Sequence, residues 1–331
     1  MSLKYLAKRV GSALLTLVAV TLVIFLVLRM MPGDILETKA RDEAAQMGIT
    51  YEEAYSRVAT RYNYNPNEPI LQQLVRYVGG LLRGDLGTSM TNPKLTVVSI
   101  LVTALPWTLF VVSISLILSF IIGLQLGAVM AIRKKGIINN IITFYVTVVS
   151  TIPNYIVAIL LSIVLVYQLG LFPQAGVYSI DVTPGFNLPF LLSALHHAIL
   201  PIATYVLTST GGWILNMKGS SIHTLGSDYV FAARARGLPD SIIMRKYMKK
   251  NAMIPLVTTL AMSFGGMMGG APLVEGQFKY LGMGTYLATA QGERDYILYQ
   301  GLLLCVSVSV IIANLIADLL YSKLDPRIRL E

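Results

Sequence analysis

Three histidines, one cysteine and scattered hydroxyls are the side chains from which a catalytic or metal-binding site would have to be built in this 331-residue sequence. His196 and His197 are adjacent and His223 stands apart, a pattern without metal-ligand spacing. Cys305 is the single cysteine, which excludes an internal disulfide and any cysteine-based zinc site. The Ser and Thr residues have no His/Asp arrangement near them, and inside apolar helices such hydroxyls bond to backbone or to a neighbouring helix. No Gly-x-x-x-x-Gly-Lys-Ser/Thr phosphate loop occurs, so the chain is expected neither to bind nor to hydrolyse ATP. What remains is mechanical. The run from Asp228 to Pro239 places Ala232, Ala233, Arg234, Ala235 and Arg236 before Gly237, Leu238 and Pro239. Gly ends a helix readily and Pro is tolerated in the first turn of the next, so two short helices broken at Gly237–Pro239 are expected. Small residues give such a helix a narrow side that fits a groove. The alternative is a solvated basic loop that only fixes topology.

These residues are carried by elements that belong in lipid. The sequence is 55% hydrophobic and 13% charged, with a mean hydropathy of +0.65, whereas soluble domains carry about a quarter charged residues. A helix needs roughly 20 apolar residues to cross a bilayer. Six spans are expected, near 10–31, 103–131, 137–168, 196–217, 251–274 and 296–320. Extra uncharged length beside the second and third contains Pro106, Pro173 and Pro184 and reads as interfacial or re-entrant. The first run is too long for a signal peptide and lacks a cleavage pattern, so it reads as a retained span. The fold class is therefore an all-α polytopic membrane protein. Its parts are 1–31 (amino terminus and first span), an extracytoplasmic insert at 32–96, and a core of five spans at 97–331 with an inner loop at 218–250.

Lys and Arg set the orientation. With the amino terminus inside, inner segments hold sixteen and outer segments nine, and the insert offsets its seven with eight acids. Both termini are expected in the cytoplasm, and the net charge of +9 is a topology signal rather than a sign of a nucleic-acid partner. Within the insert, a helical stretch from Glu37 to Tyr62, a turn at 63–67 and an apolar stripe over Ile70–Leu82 suggest a folded cap. In the spans, Ser263–Pro272 carries two offset small-xxx-small pairs, Gly265/Gly269 and Gly266/Gly270, which permit close helix packing or bending. Pro153, Asn154, Ser263, Gly266, Gly270 and Glu275 are the candidates to line or gate a path. Glu275, near the outer end of the fifth span, either lines the mouth or anchors the interface.

The Ala232-Ala233-x-x-x-Gly237 core resembles the EAA loop of binding-protein-dependent ABC importer permeases. Other marks follow in order: Met31-Pro32-Gly33-Asp34, Gly84-Asp85-Leu86-Gly87-Thr88-Ser89, His197-Ala198-Ile199-Leu200-Pro201, Gly265-Gly266-x-x-Gly269-Gly270, Asp295-Tyr296 and Leu324-Asp325-Pro326-Arg327-Ile328-Arg329. Together they resemble the dipeptide, oligopeptide and nickel branch along essentially the whole chain. Phe231 stands where the general loop has Glu, and Leu281 and Ile297 replace usual prolines. The resemblance implies six transmembrane helices of the type I importer kind and a coupling loop formed by Ala232, Ala233, Arg234, Arg236, Gly237 and Leu238. The implied partners are a second, similar permease, two ATP-binding cassette subunits that bind the ATP and Mg, and a solute-binding protein outside. It also implies multi-pass residence in a prokaryotic cell membrane and peptides as cargo, with oligosaccharides as the alternative. An ion-coupled carrier is the rival class, but it keeps a carboxylate in the bilayer interior, whereas Arg29, Glu275 and Asp318 all fall near span ends.

Overall fold

The computed structural model describes residues 3–30, 35–61, 68–133, 136–149 and 151–324. The Met31–Asp34 motif, the turn at 63–67, Lys134, Lys135 and the terminal motif from Asp325 onward lie outside the described residues. In chain order the helices are α1 (Leu3–Met30), α2 (Ile35–Met47), α3 (Tyr51–Arg61), α4 (Ile70–Leu82), α5 (Val97–Ile132), α6 (Ile137–Val149) and α7 (Asn154–Leu161), the last running on as a π-helical turn, Ser162–Gln168. Then come α8 (Leu188–Leu225), α9 (Asp228–Ala235), α10 (Asp240–Ile242), a π-helical stretch Ile243–Lys249, α11 (Lys250–Gln277), α12 (Met283–Gly292) and α13 (Tyr296–Leu324). Among the described residues the only β pairing is an isolated bridge, Thr88 to Thr96.

Four helices are long and apolar enough to cross a membrane, and two bent pairs bring the count to six if each is one span. The expected spans are all present, but several boundaries move. Pro106 does not mark a re-entrant segment: it lies inside α5, which runs 36 residues, or about 54 Å at 1.5 Å per residue. That exceeds the roughly 30 Å hydrocarbon core, so the extra length extends the helix beyond lipid. Pro173 and Pro184 do fall in irregular chain, between the π-turn and α8. The third span is not one helix. Pro153 caps α7 with φ −57° and ψ 143°, and the chain ahead of a proline disfavours helix, so α6 and α7 meet at 102°.

The core is built on α5 and α8. Gly123 and Gly127 let them touch at backbone distance: a Cβ at Gly123 would overlap Trp213, and one at Gly127 would meet Ile214 O at 2.5 Å and Met217 Cβ at 2.7 Å. Phe120 and Trp213 pack edge to face at 5.0 Å beside this contact. Around the pair lie α7, α11, α12 and α13, and α1 packs on α13. Along α1, Leu14, Leu15, Val18, Val23 and Val27 are exposed, as a lipid-facing helix requires.

The insert is a helical cap, with its first stretch divided into α2 and α3 by Gly48, whose φ is +66°. Leu36, Val58 and Met90 form its small core, packed against Tyr296 and Ile297 at the start of α13. Two motifs far apart in sequence join here. Asp295 is fully buried and accepts hydrogen bonds from Ser89 Oγ at 2.6 Å, Thr91 N at 3.2 Å and Leu298 N at 3.0 Å. The Gly84–Ser89 turn is thereby fastened to the first turn of α13.

Candidate coupling loop and transport path

At the opposite end from the insert, α9 stands on a short apolar platform. Val230, Ala233 and Ile243 are buried together with Leu225, Leu238 and Tyr247 around them. The helix then closes in a Schellman motif: Gly237 N donates to Arg234 O at 2.9 Å and Leu238 N to Ala233 O at 3.3 Å. Gly237 takes φ +74°, which L side chains adopt only with strain. A Cβ there would meet nothing within 4 Å, so glycine is required by conformation and not by space. The break expected at Gly237–Pro239 is present, with Pro239 capping α10. The second short helix is not separate: α10 continues through the π-helical stretch directly into α11.

The loop alanines divide between two faces. Ala233 faces inward and is 3% exposed, which removes it from the expected narrow docking side. Ala232, Arg234, Ala235, Arg236 and Gly237 are exposed, and Leu238 is half-buried. Reading the sequence by small residues missed the two aromatics on the outer face. Phe231 is 76% exposed and Tyr229 42%, and only the departure of Phe231 from the usual Glu pointed to that position. The base of the loop is tied to the bundle by Lys249 Nζ donating to Gln125 Oε1 of α5 at 2.7 Å and Ser220 Oγ donating to Ala252 O at 2.8 Å.

The candidate path residues are on two neighbouring elements, since α7 packs against α11. Pro153 is exposed and Asn154 half-buried at the α6–α7 bend. On α11, Ser263 is half-buried, its hydroxyl donating to Thr259 O at 2.9 Å. Gly266 is exposed with nothing within 4 Å of a Cβ built on it. Gly270 lies one turn further along the same helix. Of Gly265, Gly266 and Gly269, only Gly265 makes a close approach, to Val310 of α13, where a Cβ would lie 2.7 Å from Cγ1. Met262, Gly266, Gly269 and Leu273 form one exposed face of α11.

Glu275 does not join that face. It is 0% exposed, held inside the fold between α5, α11 and the start of α12. One carboxylate oxygen accepts from Thr108 Oγ1 of α5 at 2.7 Å and the other from Gly284 N at 2.7 Å. Thr108 Oγ1 in turn accepts from Met283 N at 2.8 Å. The carboxyl group therefore sits at the amino-terminal end of α12, where its oxygens meet N–H groups that have no partner within the helix. Cβ atoms at Gly282 and Gly284 would strike the Glu275 carboxylate and the α11 backbone at Ala271, which explains the glycines around Met283.

These features define a helical, multi-spanning membrane protein with a pre-formed, aromatic-tipped loop at one end and a fastened cap at the other. Residues 123–330 match the family of binding-protein-dependent transport system inner membrane components, and the chain belongs to that family. It is 28% identical over 324 residues to the oligopeptide transport system permease protein AppB of Bacillus subtilis, covering 98% of each chain. It is 29% identical over 341 residues to the di/tripeptide transport system permease protein DppB of Pseudomonas aeruginosa. To the dipeptide transport system permease protein DppB of Escherichia coli K12 it is 28% identical over 343 residues. The last two alignments cover 99% of each chain.

Proposed function

We propose that this chain is one of two permease subunits enclosing the path of an ATP-driven importer for peptides. It pairs with a similar permease, two ATP-binding cassette subunits hold the ATP and Mg, and a solute-binding protein delivers cargo. The observation that carries the mechanical part is α9: a rigid, Schellman-closed helix whose exposed Tyr229 and Phe231 suit burial in a groove on an ATPase subunit. Aromatic side chains on a fixed backbone are the usual anchors of such interfaces. Because the loop continues into α11, a shift of α9 is carried directly to the face that bears Gly266. Peptides as cargo follow from the names of relatives aligned over nearly the full chain. Pro153, Asn154, Ser263, Gly266 and Gly270 carry no charge, so choice among peptides rests mainly with the delivering protein.

The excess of Lys and Arg on the loop side supports an orientation with both termini in the cytoplasm of a prokaryotic cell. The test is reconstitution of all partners in liposomes, with uptake and cargo-stimulated ATP hydrolysis measured together. Peptides are expected to stimulate both, and Phe231→Ser to reduce both at least tenfold while the permease still assembles. A cysteine at Asp240 should be labelled only from the ATPase side. Undiminished uptake by Phe231→Ser, or stimulation by oligosaccharides and not peptides, would overturn the respective part of the reading.

A further inference from the structure

The helix α4 is complete, yet the rest of the chain does little to hold it. It has 13 residues, two of them the glycines Gly79 and Gly80, and no side chain caps its amino end. Isolated helices of about this length, roughly 12–15 residues, are marginal in water, and glycine weakens them further. Among the described residues no other helix runs alongside α4. Its ties are made at points, among them Tyr77 stacked on Phe25 of α1 at 5.8 Å and Glu68 paired with Arg76. Gln73 Nε2 also donates to Glu68 O at 2.8 Å, just ahead of the helix.

The side chains of α4 sort into three faces. Gln73, Tyr77 and Gly80 turn toward the bundle and line a cavity shared with Gln300 of α13. Gln72 and Arg76, with Arg83 at the carboxyl end, are exposed on a second face. The third face is apolar: Leu71, Val75 and Leu82 are 70%, 66% and 84% exposed, within one narrow helical arc. The level of this arc follows from α1. Its Ala7–Met30 stretch has 24 residues, about 36 Å at 1.5 Å per residue, against a hydrocarbon core of roughly 30 Å. Phe25 lies less than two turns before Met30, so the Tyr77–Phe25 stack falls close to the edge of that core. Leu26, Val27 and Met30 are exposed at the same level. Because α1 packs on α13 and is exposed along much of its length, α4 stands at the rim of the bundle, where lipid is the neighbour.

We propose that α4 is an interfacial helix whose Leu71, Val75 and Leu82 face lies in the headgroup region of the bilayer, continuous with the lipid-facing surface of α1. Lipid supplies the apolar surroundings that the chain does not, and Gln72, Arg76 and Arg83 face water and headgroups, as the polar sides of such helices do. The cap is then held on two sides, to α13 through Ser89 and Asp295 and to the membrane through α4. This assignment is independent of what the importer carries.

The experiment places a nitroxide label on single cysteines, Leu71→Cys, Val75→Cys, Leu82→Cys, Gln72→Cys and Arg83→Cys, in the assembled importer in phosphatidylcholine liposomes. Cys305→Ser and replacement of the partners' cysteines keep the label at one site. Collisions with oxygen, which concentrates in the bilayer, and with a water-soluble nickel chelate are read at each position. The ratio of oxygen to nickel collisions should be at least fivefold higher at 71, 75 and 82 than at 72 and 83, with the apolar face about 5–10 Å below the headgroup surface. Equal ratios at all five positions would put the stripe in water and overturn the proposal. Protection of 71, 75 and 82 from both reagents would mean that a partner subunit covers the face, and overturns it too. So does protection that arises only when the solute-binding protein is added. A second measurement is hydrogen exchange in the same liposomes. Combining Leu71→Gln, Val75→Gln and Leu82→Gln should speed exchange over 70–82 at least tenfold and leave α2 and α3 unchanged. Unchanged exchange over 70–82 would show that α4 stands without lipid, against the proposal.

Discussion

The chain has a sharp turn after a helix at each end, and the two turns are finished in opposite ways. After α9, Gly237 closes the helix through backbone hydrogen bonds alone, and the residues around it stay exposed. After α11, the chain folds back so tightly that no Cβ fits at Gly282 or Gly284, and Glu275 supplies the acceptors that the N–H groups of α12 require. One turn leaves its side chains for something outside the chain to meet. The other is completed from within, by a carboxylate sealed from solvent. Loss of a residue at the first should therefore fall on transport, and at the second on stability.

The comparison breaks if Glu275 proves dispensable. Glu275→Ala leaves Thr108 and the Gly284 N–H buried without their acceptor. A buried donor left without its acceptor costs roughly 1–3 kcal/mol, so with two such donors the expected loss is about 4 kcal/mol. It should appear as a large fall in the thermal midpoint of the purified importer, with Glu275→Gln falling less. A midpoint within a degree of wild type would show that the bracket contributes nothing.

A smaller effect tests the same distinction between filled and open glycines. Gly123 and Gly266 read alike in sequence, each one of a small-xxx-small pair in an apolar run. A Cβ at Gly123 overlaps Trp213, whereas one at Gly266 meets nothing. Gly123→Ala should cost about 2 kcal/mol by overpacking. Gly266→Ala should be neutral or stabilise slightly, because alanine favours helix by about 1 kcal/mol over glycine. Its effect, if the exposed face of α11 borders the path, should be on uptake. Equal losses of stability from the two substitutions would remove the distinction.

The difference between those glycines shows where sequence reading stopped. Apolar run length disclosed the spans, and Gly237 before Leu238 and Pro239 disclosed the turn, because both signals are local. Pro153 was visible, yet a proline in an apolar run predicts a break without fixing an angle of 102°. The brackets were out of reach. Glu275 is 167 residues from Thr108 and Asp295 is 206 from Ser89, and no periodicity links positions so far apart. Likewise Ala232 and Ala233 are one chemistry on two faces, separated only once α9 has a platform to sit on.

The smallest expected loss of stability belongs to Gly237. Valine at φ +74° brings its Cβ close to the following carbonyl, and a left-handed L residue costs roughly 1–2 kcal/mol. Because the space around Gly237 is open, no steric loss adds to this, and relaxation of the exposed turn should hold the cost near 1 kcal/mol. Relaxing the turn, however, displaces Leu238 from the platform of Val230, Ala233 and Ile243, and so tilts the helix that presents Phe231. Gly237→Val should therefore keep a thermal midpoint close to wild type while cargo-stimulated ATP hydrolysis and uptake fall about tenfold. Gly237→Asn, which tolerates left-handed backbone better, should recover most of that loss. If Val and Asn transport equally well, α9 does not need its turn fixed, and the contrast between the two ends reduces to one of burial.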